Sequence, residues 1–337
     1  MMMKRRIGLA LGSGAARGLA HIGVLKALED ENIPISRISG SSMGALVGAC
    51  FARGASIKDI EAIALNTDWK KLLKLADLNL ALMLKGFIHG SKVKSLLRSI
   101  IGDVKFRDLK IPLAVVATDI NTGREVVIRK GSVIEAVRAS ISIPVIFTPP
   151  KIGGRFLMDG GIVNPVPVNI VKRMGADFVV ACNVIHKPKE RFSPREAKKP
   201  KASLFTPILQ DSKMRHLTKS SMPPFDVLNQ KVNELVRENR GVLENIQKLL
   251  NTFKVRFYKK TKEIDPSTPS IFDTIIKAFY AMEYEIAKEK TAEADMVITP
   301  RVGQIAALEF YRGKEAIAKG YRAAMKIIPA LRKVAGV

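Results

Sequence analysis

The sequence predicts an α/β fold, with a mainly parallel central sheet covered by helices on both faces. Three observations lead there. Strand and helix signals alternate from the first residues onward. Short glycine- and serine-rich turns join strands directly to helices, as at Gly12–Gly18 and Gly40–Gly44. The 337 residues are 47% hydrophobic, enough to bury a sizeable core and too apolar for a disordered chain.

The elements follow in order. Ile7–Leu11 is a buried strand, and Gly18–Asp30 is an amphipathic helix with Leu19, Ile22, Leu25 and Leu28 on neighbouring turns. Ile35–Ser39 alternates like a strand, and Ala45–Phe51 reads as a buried helix ending near Gly54. Ser56–Leu65 is a helix capped by Ser56. Strands follow at Leu113–Thr118 and Glu125–Ile128, a helix at Ser132–Ser140, and an apolar strand ending at Asp159. A helix at Val168–Met174 and a strand at Phe178–Cys182 come next.

After His186 the character changes. Lys, Arg, Pro and Ser dominate with little periodicity, as in Lys187-Pro188-Lys189 and Lys198-Lys199-Pro200-Lys201. A heptad-like stripe then runs through Leu228, Val232, Leu235, Asn239, Val242, Ile246, Leu249 and Phe253. It reads as a helix over 225–253, packing on its own domain or pairing with a second subunit. The α/β pattern resumes with a helix at Phe272–Lys288, a strand at Met296–Ile298 and helix over Glu309–Val334. Residues 5–186 and 270–334 are therefore expected to form one α/β domain, with 187–269 as a basic insertion.

The formal net charge is +25, from 56 basic and 31 acidic residues. Such an excess favours an anionic partner, and a membrane surface fits better than nucleic acid, because an aromatic content of 6% offers few stacking platforms. No nucleic-acid partner is expected. Cys50 and Cys182 sit in apolar runs and read as buried thiols of a reducing compartment. No Cys/His spacing suggests a metal site. The apolar run after Lys4-Arg5-Arg6 is interrupted too early for a signal peptide, and the stretch from Ile38 to Ala52 is too short to span a bilayer. A cytoplasmic protein, peripheral at the membrane at most, is the expectation.

Ser42 stands in Gly40-Ser41-Ser42-Met43-Gly44, a G-x-S-x-G pattern between strand and helix. A serine on so tight a turn projects its hydroxyl, as a nucleophile requires. The turn Gly12-Ser13-Gly14-Ala15-Ala16-Arg17-Gly18 exposes backbone N–H groups at a helix start, where negative charge is stabilised. A dinucleotide fingerprint would place its third glycine one residue earlier and an acid after the second strand, and a P-loop would need Gly-Lys-Ser/Thr. An oxyanion hole fits the spacing better. Of the four histidines, His21, His89, His186 and His216, none carries a local motif for a general base. Asp159 is the better candidate: it ends an apolar strand, precedes Gly160-Gly161, and is followed by a loop stiffened by Pro165 and Pro167.

Together these three segments resemble the patatin-like phospholipase family, which combines a glycine-rich oxyanion turn, a G-x-S-x-G serine and a D-G-G/A aspartate. Ala117-Thr118-Asp119, Ala139–Pro144 and Asn164-Pro165-Val166-Pro167 are also similar to it. The likeness covers about residues 5–185 and 270–325. It implies a three-layer α/β/α fold and a lipid acyl hydrolase acting on a phospholipid or lysophospholipid. It implies a Ser42–Asp159 dyad without histidine, metal or cofactor, and an oxyanion hole from the N–H groups of Ser13, Gly14 and Ala15, helped by the helix starting at Met43. Gly12, Arg17, Gly18, Gly40, Gly44, Gly160 and Gly161 support these motifs. Ser13 and Ala15 stand where the family more often has glycine.

Arg17 is expected either to anchor the glycine turn or to meet a phosphate head group. The apolar stretch Leu78–Ile88 reads as an acyl-channel wall, a membrane flap or an ordinary core helix. Two further readings remain open at this level: an anionic-lipid-binding scaffold with little turnover, and a nucleotide-binding α/β protein.

Overall fold

The computed structural model describes residues 5–67, 91–144, 146–187 and 271–336. Its strands are β1 (Ile7–Leu11), β2 (Ile35–Ser41), β3 (Leu113–Asp119), β4 (Glu125–Ile128), β5 (Lys151–Ile152), β6 (Arg155–Asp159), β7 (Phe178–Cys182) and β8 (Met296–Ile298). They form a mixed, mostly parallel sheet in the order β5-β6-β3-β2-β1-β7-β8, with β4 also on β3. The β1, β2, β3, β7 and β8 ladder is parallel, and β4, β5 and β6 add antiparallel pairing on the β3 side.

Side-chain alternation explains the layers. Ile7, Leu9 and Leu11 of β1 enter one large apolar cluster, whereas Ala10 enters another on the opposite face. The first face is covered by α1 (Ala20–Asp30), α2 (Met43–Ala52), α3 (Ile57–Asn66), α4 (Ser91–Ile101) and α5 (Val133–Ser140). The second carries α6 (Val168–Arg173) and α7 (Ile271–Ala292), whose Val168, Val171 and Ala287 pack with Val179 and Ala181. With both faces covered, the inner strands β1, β3 and β7 are buried along their whole length, and apolar residues dominate both of their faces.

Three expectations need adjusting. The first helix begins with a 3-10 turn, Ala15–Leu19, before α1. The stretch 309–334 is not one helix but a 3-10 turn at Phe310–Arg312, then α8 (Gly313–Met325) and α9 (Ile328–Ala335). Pro329 causes the break: it lacks an N–H and is suited only to the first turn of a new helix. Helix α4 was not anticipated, although Val93, Leu97, Ile100 and Ile101 recur at helical spacing and are buried. Both Leu78–Ile88 and the helix expected over 225–253 lie outside the described residues, as does the basic segment apart from Lys187. Among the described residues no helix is long and apolar enough to cross a membrane.

Candidate active site

The parallel ladder delivers the site residues to one edge. β1, β2 and β3 all end there, so the turns after Leu11 and Ser41 lie side by side. Ser41 pairs with Val116, and the next residue of β3, Ala117, pairs with Asp159 of β6. The residue after Ser41 and the last residue of β6 are thereby brought to the same level, across β3.

Ser42 occupies the joint between β2 and α2 with φ 52° and ψ −120°. That is a strained backbone for a residue with a side chain, and packing enforces it. Gly44 lies so close under β1 that a Cβ would come within 2.2 Å of the Leu11 carbonyl oxygen. The Ser42 N–H is fixed by the Ser140 hydroxyl at 2.8 Å, and Ser140 donates in turn to the Val116 carbonyl at 2.6 Å. This bridge explains why Ala139–Pro144 belongs to the site.

The hydroxyl of Ser42 donates to Asp159 Oδ2 at 2.7 Å. The other carboxylate oxygen accepts the Gly161 N–H at 2.8 Å. The Asp159 backbone is pinned as well, its N–H by the Ser142 carbonyl and its carbonyl by the Thr118 hydroxyl. Asp159 is 1% exposed. Burial pushes its carboxyl up to about 7, against the smaller opposing pull of the Ser42 and Gly161 hydrogen bonds. A carboxyl in that range is matched to proton transfer near neutral pH.

The turn after β1 runs beside Ser42. Its Gly12 N–H goes to the Cys182 carbonyl, its Ser13 N–H to the Pro165 carbonyl and its Ala16 N–H to the Ala307 carbonyl. Of the three donors expected for an oxyanion hole, Ser13 is thus already engaged. The Gly14 and Ala15 N–H groups have no partner among the described residues. Ala15 has φ 47°, a left-handed conformation that glycine would adopt without strain, so the departure noted in the sequence falls on a strained position. Arg17 donates from Nε to the Ile305 carbonyl at 2.7 Å, and its guanidinium lies 5.1 Å from the Tyr280 ring centre. Both contacts anchor the turn.

The described histidines sit away from this chemistry. His21 is buried between the Gly12 carbonyl and the Cys182 sulfur, and burial lowers it to about 4. His186 contacts the Val184 carbonyl. His89 and His216 lie outside the described residues. Among the described residues no cluster of His, Cys, Asp or Glu is arranged to hold a metal ion.

An apolar cavity opens on Ser42. Its walls come from Ala15, Met43, Leu46, Ile141, Ile143, Phe147 and Phe310, with Val93, Leu96, Leu97 and Ile100 of α4. One polar residue escaped the sequence reading. Glu283 of α7, 2% exposed, accepts a hydrogen bond from the Ser13 hydroxyl at 2.6 Å. The available signal was an acid lying on the inward stripe that includes Tyr280, Tyr284 and Ala287.

Part of the chain is similar to known proteins. The family model described as patatin-like phospholipase matches residues 9–172. An NTE family protein of Mycobacterium tuberculosis is 38% identical over 179 residues, 53% of this chain and 49% of the relative. Neuropathy target esterase sws of Drosophila melanogaster is 36% identical over 53% of this chain and 13% of its own length. Patatin-like phospholipase domain-containing protein 6 of Homo sapiens is 35% identical over the same share of each. The matched region thus spans about half the length of the mycobacterial relative and much less of the animal ones. The crystal structure of VipD from Legionella pneumophila aligns at a TM-score of 0.46 and 14% identity, covering 97% of this chain and 67% of that one, and adds nothing to the strand order above. The glycine turn, the serine joint and the aspartate all fall within residues 9–172, the part of this chain that is similar to the patatin-like phospholipase family.

Proposed function

We propose that the protein is a serine esterase that hydrolyses a fatty-acyl ester of a phospholipid or lysophospholipid, with Ser42 as nucleophile and Asp159 as its base. The observation that carries this reading is the 2.7 Å hydrogen bond from the Ser42 hydroxyl to a buried carboxylate, on a strained turn facing an apolar cavity. Ser42 Oγ attacks the ester carbonyl carbon while its proton passes to Asp159. The carbonyl electrons collect on the oxygen, held by the Gly14 and Ala15 N–H groups and by the N-terminus of α2 at Met43. The tetrahedral intermediate collapses, the bond to the alcohol oxygen breaks, and Asp159 returns the proton to that oxygen. Water then attacks the acyl-enzyme, losing a proton to Asp159; the bond from the acyl carbon to Ser42 Oγ breaks, Asp159 returns the proton to Oγ, and the fatty acid leaves. No step needs a histidine, a metal or a cofactor.

The apolar walls support an acyl chain as the group that reaches Ser42, because such a cavity binds by burial and orients through few polar atoms. The net charge of +25 supports presentation of the substrate at an anionic surface, where each Lys or Arg near the lipid adds about 1 kcal/mol. The test is labelling by a fluorophosphonate probe together with product analysis on mixed phospholipids and lysophospholipids. Ser42→Ala should lose both labelling and hydrolysis. Undiminished hydrolysis in that variant would sink the assignment.

A further inference from the structure

Besides Ser42 and Asp159, the site holds a buried carboxyl that the chemistry above does not use. Glu283 lies on the inward stripe of α7, where an acid is costly unless it is hydrogen-bonded. Its partner is the hydroxyl of Ser13 at 2.6 Å. Ser13 opens the turn that presents the Gly14 and Ala15 N–H groups, and its own N–H is held by Pro165. The turn is therefore tied down at its first residue through both backbone and side chain. The same Glu283 oxygen presses on Gly161. A Cβ there would come within 2.0 Å of Glu283 Oε1, 2.9 Å of Ser13 Oγ and 3.1 Å of Asp159 Oδ1. The oxyanion turn, the base and Glu283 thus converge on one glycine, the one whose N–H holds Asp159.

We propose that Glu283 is a positioning residue for the oxyanion turn, acting through the Ser13 hydroxyl, and that it works in its protonated form. The proposal rests on the Ser42 esterase reading. The chemical reason is charge. The Gly14 and Ala15 N–H groups must stabilise a negative oxygen, and an ionised carboxylate behind them would oppose it. A neutral carboxyl holds Ser13 without that penalty.

The groups facing Glu283 are consistent with this. Asp159 comes from the end of β6, Arg17 from the 3-10 turn, Tyr280 from the preceding turn of α7 and Ser13 from the turn itself. Burial, then the Asp159 charge, push the Glu283 carboxyl up to about 8, against the Ser13 hydrogen bond and Arg17. A charged Asp159 beside it thus favours the neutral form of Glu283. At higher pH Glu283 gains its charge and the turn loses its working form.

The experiment measures kcat and KM for a soluble ester, p-nitrophenyl butyrate, from about pH 5 to about pH 9.5. It compares wild type, Glu283→Gln, Ser13→Ala and Ser42→Ala. Wild type should rise through neutral pH and fall at the alkaline end. Glu283→Gln, neutral at every pH and able to keep the Ser13 bond, should match wild type near neutrality and lose the alkaline fall. Ser13→Ala should lower kcat about 10- to 100-fold with KM within about twofold, the pattern of a displaced transition-state contact. An alkaline fall unchanged in Glu283→Gln, or full kcat in Ser13→Ala, overturns the proposal while leaving the esterase reading intact. A wild type without hydrolysis, or hydrolysis that survives in Ser42→Ala, overturns both. Thermal melting of each variant shows whether a loss comes from unfolding.

Discussion

Ser42 and Asp159 are 117 residues apart in sequence and joined by a hydrogen bond of 2.7 Å. The joint that aims Ser42 and the pairing of β6 on β3 together set that distance. Neither residue has much freedom to adjust, because Asp159 is also fixed through its N–H, its carbonyl and its second carboxylate oxygen. A base held this way costs no reorganisation when the serine proton moves.

The first prediction follows from removing the charge. Asp159→Asn should lower kcat at least about 10³-fold while the fold persists, since a triad or dyad member is worth several kcal/mol of the barrier. Initial rates on p-nitrophenyl butyrate, with circular dichroism as the check on folding, measure it. Activity within about tenfold of wild type would mean that another group takes the proton.

The same variant should be more stable than wild type at neutral and alkaline pH. The ordinary carboxyl value of 3.8 is raised in the fold to about 7 by burial. A group raised on folding adds stability at low pH and loses it as the pH climbs from its unfolded value through its folded one. Wild type therefore weakens between pH 3.8 and about 7 on this account, and the asparagine variant does not. The difference in Tm should open across that window and level off above it, each kcal/mol giving roughly 2–4 °C. A difference that does not change with pH would contradict the buried-acid explanation.

Much of this site was legible because its parts are local. G-x-S-x-G needs only five residues to specify a strand–turn–helix joint, and Asp159 announces itself by ending an apolar strand before two glycines. The strand order is not local, but alternation of strand and helix with short connections narrows it to few arrangements. What escaped the reading depends on contacts that sequence does not order. The Ser13 N–H could not be known to be spent on Pro165, 152 residues later, and Glu283 meets Ser13 across 270 residues. Helix α4 is different, being legible in principle: Val93, Leu97 and Ile100 recur at helical spacing, with Lys94 and Arg98 among the polar positions between them.

Gly44→Ala should damage the site through the backbone alone. The added methyl carbon would come within 2.2 Å of the Leu11 carbonyl oxygen, with the Gly12 carbonyl oxygen at 2.6 Å. Backbone atoms of β1 cannot yield as a flexible side chain would, so α2 must shift and carry the Ser42 joint with it. Overpacking of this kind costs about 1–3 kcal/mol or more, read as a lower urea midpoint with an unchanged slope. Fluorophosphonate labelling should fall more than stability does.

Ser140→Ala removes a support that touches no substrate. The Ser140 hydroxyl is the partner of the Ser42 N–H, at 2.8 Å, in a buried position. Leaving that donor unpaired costs about 1–3 kcal/mol. Part of the loss should appear as a lower kcat, because the N–H helps hold Ser42 in its strained conformation. Ser140→Thr keeps a hydroxyl and should recover part of both. Equal stability and kcat in wild type and Ser140→Ala would show that the bridge to Val116 is dispensable.

The cavity makes the acyl prediction specific. Leu96 is half-buried on α4, so a larger side chain there has room to enter the cavity without overfilling the core. Leu96→Trp should shorten the space available to an acyl chain. Hydrolysis of a palmitoyl ester should fall at least about tenfold relative to a butyryl ester, since each methylene denied burial forfeits about 0.8 kcal/mol and a few suffice. The butyryl rate serves as the internal control: it depends on the same Ser42, Asp159 and oxyanion turn but not on the far wall. Loss of both rates in proportion would indicate a displaced α4 rather than a blocked chain. An unchanged ratio would place the acyl chain elsewhere than against Leu96.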